Sequence, residues 1–141
     1  MYSAVDLSKY IVNKCTRDKH PITNLQLQKI LYYIQKAFLN KNDKAFDDAI
    51  EAWQFGPVVP KSYYNFCGFG AMPITVTYDK VIDLDLNDKK LIDSIIVSKR
   101  SLPPWDLVEE THKPNGAWAK AYNNGSGNHT VISTESIRKC G

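Results

Sequence analysis

The sequence is short of the residues that announce chemistry. Its three cysteines, Cys15, Cys67 and Cys140, lie far apart with no C-x-x-C pair. That spacing offers neither a disulfide framework nor a paired-thiolate metal site, and reduced thiols are the expectation. The three histidines, His20, His112 and His129, are scattered, and there is no G-x-S-x-G elbow, Gly-rich phosphate loop or H-E-x-x-H. Hydrolases and transferases need a nucleophile, a base and an orienting group in one place. Only folding could bring His112 to Cys67 or Cys140, so His112 is read as a structural side chain that bonds a nearby backbone group after a helix. No enzyme, cofactor or metal is expected. Apolar runs fall well short of the roughly 18 residues of a membrane span, and the N-terminus lacks a basic-then-apolar signal. A cytoplasmic protein without membrane contact is expected.

What the chain does have is ordinary globular composition over 141 residues, 43% hydrophobic and 23% charged, which predicts one domain with its own core. The net charge of +3 identifies no partner, but its distribution is uneven. Residues 1–44 carry eight basic groups against Asp6, Asp18 and Asp43. Such an excess could meet phosphate or an acidic protein. Lysines at helical positions, among them Lys9, Lys14, Lys29 and Lys36, are read instead as a solvated face. Asp47, Asp48 and Glu51 are read likewise as a loop-solvating patch that pairs with basic groups rather than holding a metal.

Helical periodicity dominates. Ser3 and Asp6 resemble a capping pair before Ala4, Leu7, Ile11 and Cys15, giving a helix over about 3–16. Thr23 with Gln26 is a better capping box, Ile22 can staple against Leu27, and Leu27, Ile30, Leu31, Ile34, Ala37 and Phe38 make a stripe of period near 3.6 over 24–39. Further helices are predicted from Pro60 to Gly68, from an Asn87 cap to about Ser98, from Ser101 to about Thr111, over 115–122, and from a Ser133 cap to Gly141. Strands are candidates near 50–55 and at Ile74–Tyr78, where β-branched residues alternate. The first two helices superficially suggest a helix-turn-helix with Asn24, Gln26, Gln28 and Lys29 facing bases. The apolar second helix and the Pro21 link argue against it. The fold class is mainly α, a compact single-domain globule with at most a small sheet.

The densest signal is the segment Glu51-Ala-Trp-Gln-Phe-Gly-Pro-Val-Val-Pro-Lys-Ser-Tyr-Tyr64. Seven of the sixteen aromatic residues fall between 46 and 69, so this stretch must fill a core, form an interface, or do both. Extended chain, a sharp turn at Gly56-Pro57 and a short helix are predicted. Trp53 and Phe55 stand two apart in extended chain and so share a face. Tyr63 and Tyr64 are adjacent on a helix and cannot both point fully inward. Trp53, Phe55, Tyr63 and Tyr64 are the candidate partner-binding residues, because interface hot spots favour Trp and Tyr.

Three blocks in this order resemble the SocA/Panacea antitoxin domain family, which includes phage-associated GepA-like proteins. They are Ile22-Thr-Asn-Leu-Gln-Leu-Gln-Lys-Ile-Leu-Tyr-Tyr33, Glu51–Pro60, and Thr111-His112 followed by Trp118. The likeness covers nearly the whole chain, 1–141, as one Panacea-like domain. One departure is Ala117 before Trp118, where the family usually has proline. The resemblance implies a non-enzymatic antitoxin that neutralises a cognate toxin by direct binding. At least one member hands its toxin to the ClpXP protease. Some members carry an added DNA-binding domain, for which this chain has no room, so nucleic-acid binding is not expected. The alternative is a phage- or host-encoded regulator that binds nucleic acid or a defence protein.

Overall fold

Caps open the first two helices where the sequence places them. Ser3 accepts a hydrogen bond from the Asp6 amide at 3.0 Å and starts α1, Ala4–Arg17. Thr23 and Gln26 form the reciprocal box, each side chain accepting from the other's amide, and α2 runs Asn24–Asn40. In the computed structural model, which describes residues 1–141, α2 is the axis of the molecule. It packs against α1 and against the later elements α3 (Pro60–Phe66), α4 (Leu86–Arg100), α5 (Pro104–Thr111), α7 (Thr134–Cys140) and strand β2 (Gly56–Val58). Twelve of its 17 residues are buried, among them the polar Asn24, Gln26, Gln28, Lys29 and Gln35. Lys29 in particular is fully buried, not part of a solvated face as expected, whereas Lys9, Lys14 and Lys36 are half-buried.

The sheet is small and antiparallel, in the order β2-β1-β3, with β1 at Glu51–Trp53 and β3 at Thr130–Val131. Glu51 pairs with Val58 and Trp53 with Gly56, which leaves Gln54 and Phe55 as a two-residue turn. The turn therefore falls two residues before the predicted Gly56-Pro57. Pro57 is tolerated within β2 because that strand is a sheet edge, where a missing donor breaks no ladder. Pro60 opens α3 at its first turn, as predicted, and a 3-10 turn at Cys67–Phe69 ends it.

Two local expectations fail. Ile74–Tyr78 has no strand partner. It alternates inward and outward as its sequence implies, with Ile74 fully buried, but side chains and loops pin it instead. Ile74 N–H donates to the Ile22 carbonyl at 2.8 Å and Tyr78 N–H to Asn13 Oδ1 at 2.8 Å. A period of two reports a half-covered extended chain and says nothing about a neighbouring strand. The second failure is Asn87, which lies inside α4. Asp85 occupies the cap and makes no side-chain capping bond.

A short α6, Ala117–Tyr122, and α7, capped by Ser133 through the Ser136 amide, complete the chain. A single cluster of 26 buried residues forms the core and draws on α1, α2, α3, α4, α6 and α7. Each fully buried Leu or Ile there contributes about 1.5–3 kcal/mol of transfer free energy. α5 stands apart: its buried Leu107 and Val108 lie outside that cluster, against the side of α2 that carries Lys29.

Candidate functional site

The tip of the β1–β2 hairpin is held from beneath at three points. Trp118 Nε1–H donates to the Trp53 carbonyl at 2.7 Å. The His112 side chain lies by the Phe55 backbone, whose polar group favours the charged ring, and makes no hydrogen bond to the neighbouring group expected. Gly56, at φ +124°, leaves the space that the Lys29 amine fills: a Cβ there would stand 2.4 Å from Lys29 Nζ and 3.0 Å from Thr111 Oγ1. Only glycine combines that backbone angle with that approach. The His112 ring stacks on Trp118 at 3.5 Å, and Trp118 stacks in turn on Tyr122 at 4.7 Å. The turn is thus a fixed platform and not a free loop.

Beneath it lies an electrostatic anomaly. Lys29 Nζ and His112 Nε2 are buried polar atoms without a hydrogen-bond partner. Burial brings the Lys29 amine down to about 7, because the low dielectric disfavours its charged form. Burial, then the Lys29 charge, hold His112 below its ordinary range, with the nearby Phe55 backbone opposing. The other buried polar residues of α2 are satisfied. Gln28 donates to Asn24 Oδ1 and Ser62 Oγ and accepts from the Val59 amide at 3.0 Å. Because Asn24, Gln26, Gln28 and Lys29 are all buried, the base-reading face considered from the sequence does not exist. The acidic stretch serves locally: Asp48 accepts from the Ala4 amide at 3.0 Å, and Glu51 from Trp53 Nε1 at 2.9 Å.

Above the platform is a cleft of about 630 Å³ between the hairpin, the start of α2 and the start of α5. Trp53, Phe55 and Tyr63 line it. Trp53 packs edge-on against Tyr63 at 5.0 Å and lies 6.0 Å from Tyr64, which is 60% exposed. Trp53 and Phe55 both line the cleft, although Phe55 belongs to the turn and not to extended chain. Phe55 also meets Trp105 edge-on at 5.8 Å. Sequence reasoning missed Trp105, which is 64% exposed, and His129, which stacks on Trp53 at 4.4 Å. Trp105 was readable in principle. A helix starting at Pro104 with Leu107, Val108 and Thr111 inward turns Trp105 outward. His129 was not, since β3 brings it to Trp53 from 76 residues away in the chain.

A surface with several large rings exposed around a rigid turn suits protein recognition, where aromatic anchors enter desolvated pockets. No helix of the chain is long and apolar enough to cross a membrane. No solved structure matches the chain. A curated relative is Antitoxin SocA of Caulobacter vibrioides (strain NA1000 / CB15N), 26% identical over 126 residues, with 79% of this chain and 66% of that protein covered. The chain therefore spans just under two thirds of that relative's length. Residues 27–119, from the start of α2 into α6, match the family described as Antitoxin SocA-like, Panacea domain. The α2 stripe, the clamped hairpin and the His112–Trp118 stack all fall within that match, and the chain belongs to the SocA-like Panacea antitoxin family.

Proposed function

We propose that this chain is a cytoplasmic antitoxin, without catalysis of its own, that neutralises a cognate toxin protein by seating part of it against the aromatic cleft. The observation that carries the reading is the gathering of five rings, Trp53, Phe55, Tyr63, Trp105 and His129, in the lining of one cleft, with the exposed Tyr64 packed on Trp53 and Tyr63 at its edge, above a turn held by Trp118, His112 and Lys29. Rings held in place before contact lose little freedom on binding, so most of their buried area counts toward affinity. Family membership supports the toxin as the partner.

The test is co-expression of the chain with its toxin. Tyr64→Ala and Trp105→Ala should accumulate as folded protein and fail to rescue growth. Full rescue by both variants would place the binding surface elsewhere. Occupancy of the toxin is the mechanism that the cleft supports. Handing the toxin to a ClpXP-type protease would show instead as a toxin half-life that shortens with the antitoxin and recovers when the protease is deleted. Catalysis would show as a His112→Ala protein that folds, still binds the toxin and no longer neutralises it.

A further inference from the structure

A second cavity, of about 370 Å³, opens on the far side of the α2–α5 seam and shares no lining residue with the aromatic cleft. Its charged side chains are three lysines, Lys36, Lys99 and Lys113, and Glu110, and Gly141, the last residue of the sequence, lines it as well. The charged side chains converge from four places in the chain: α2, the end of α4, the end of α5 and the residue after the α5 cap. Glu110 is engaged by Lys99 at 3.0 Å, and Lys113 donates to the Gly141 carbonyl at 2.8 Å. Lys36 makes neither an ion pair nor a hydrogen bond. It is half-buried, and the ammonium groups of Lys113 and Lys99 act on it as like charges strong enough, after its burial, to hold it below the ordinary lysine range.

Crowding like charges in a partly dry pocket is unfavourable unless a counter-charge enters. After their present contacts, Lys99 and Lys113 each keep donors to spare, and all three of Lys36 are free. The Lys99 ammonium itself lies over the Tyr33 ring, 4.1 Å from its centroid, while it bonds Glu110, and both groups line the cavity. Burial keeps the Tyr33 phenol protonated and so a possible donor. We propose that this cavity is an oxyanion site that takes the phosphate group of a small phosphomonoester, held by Lys36, Lys99 and Lys113. The volume exceeds one phosphate and leaves room for the carbon skeleton attached to it. A tetrahedral dianion suits three converging ammonium donors better than a planar monoanion does, since it presents more charge and more acceptors.

The experiment uses the full chain, freed of phosphate by dialysis, and titrates glycerol phosphate and inorganic phosphate while following amide shifts and melting temperature. Acetate and chloride at matched ionic strength are the controls. Saturable shifts confined to α2, α5 and the C-terminal residues are expected with both phosphates, with the ester at least as tight. Lys36→Met and Lys113→Met, which keep the apolar stem, should each weaken binding at least tenfold. Equal responses to acetate would overturn the assignment to phosphate. Non-saturating shifts that follow ionic strength alone, or unchanged affinity in both variants, would overturn the site. Lys113 is exposed, so its variant keeps the test decisive if Lys36→Met unfolds.

Discussion

Gln28 and Lys29 are neighbours on α2, both closed off from solvent, yet they lie in opposite kinds of surroundings. Gln28 faces α1 and α3, where every polar atom has a partner. Its amide joins Asn24, Ser62 and the Val59 backbone, and Ser62 continues to Ser8 at 2.7 Å. Two turns further on, Gln35 does the same for Ala45 and Phe46. Lys29 faces β2 and α5, where its amine meets Gly56 and the Thr111 hydroxyl and forms no hydrogen bond. The first region is a satisfied network that fixes the scaffold. The second keeps an energetic cost directly beneath the turn that presents Phe55. Folds tend to break local rules where function sits, and here the break underlies the proposed binding surface.

The comparison can be broken most forcefully on the satisfied side. Gln28→Ala would leave the Val59 amide buried without an acceptor and would open a cavity, so a loss of about 3–4 kcal/mol in urea unfolding is expected. A loss below about 1 kcal/mol would mean that the network relaxes easily and is not the anchor described. Gly56→Ala should come next, at about 2–3 kcal/mol, because the methyl would need both an unfavourable φ and the space of the Lys29 amine. The double variant Gly56→Ala/Lys29→Met should recover part of that loss. Strict additivity in a double-mutant cycle would show that amine and glycine do not touch.

The unsatisfied side makes its own prediction about pH. Lys29 has a folded-state value of about 7 against an unfolded value near 10.4, so between those limits the unfolded chain binds more protons. Stability must therefore rise with pH across that window and fall as pH drops toward 7. From pH 7 to 9 the gain should be roughly 2 kcal/mol, and Lys29→Met should flatten the slope. The buried tyrosines, whose phenols are shifted upward, do not interfere below pH 9. An equal slope in Lys29→Met would assign the effect to another group.

The same contrast explains what the sequence could reveal. Local chemistry was legible: Ser3, Thr23 with Gln26, Pro60 and Ser133 start helices where their side chains and φ preferences dictate. Enclosure was not. A stripe of period 3.6 on α2 implies that the remaining face meets water, but six other elements close around it, and Lys29 and Gln28 look equally solvated when read from sequence alone. The pattern at Ile74–Tyr78 likewise reported burial correctly and pairing wrongly. At the candidate site, the aromatic density of 53–64 was legible, and so was the need for one of Tyr63 and Tyr64 to reach the surface. His129 was not, because it arrives from a distant element, and the outward turn of Trp105 on α5, though readable, did not show which cleft it lines.

The smallest expected change in stability belongs to the exposed rings, and the account's central claim rests on them. The decisive measurement is the dissociation constant of the purified antitoxin–toxin complex for the wild-type chain, Tyr64→Ala and Trp105→Ala, each with its own unfolding free energy. Surface truncations should stay within about 0.5 kcal/mol of wild-type stability. Affinity should fall about 30- to 1,000-fold for each variant, the loss of an anchor of roughly 2–4 kcal/mol. Wild-type affinity in both variants would contradict the claim that the cleft between the hairpin and α5 is where this protein meets its partner.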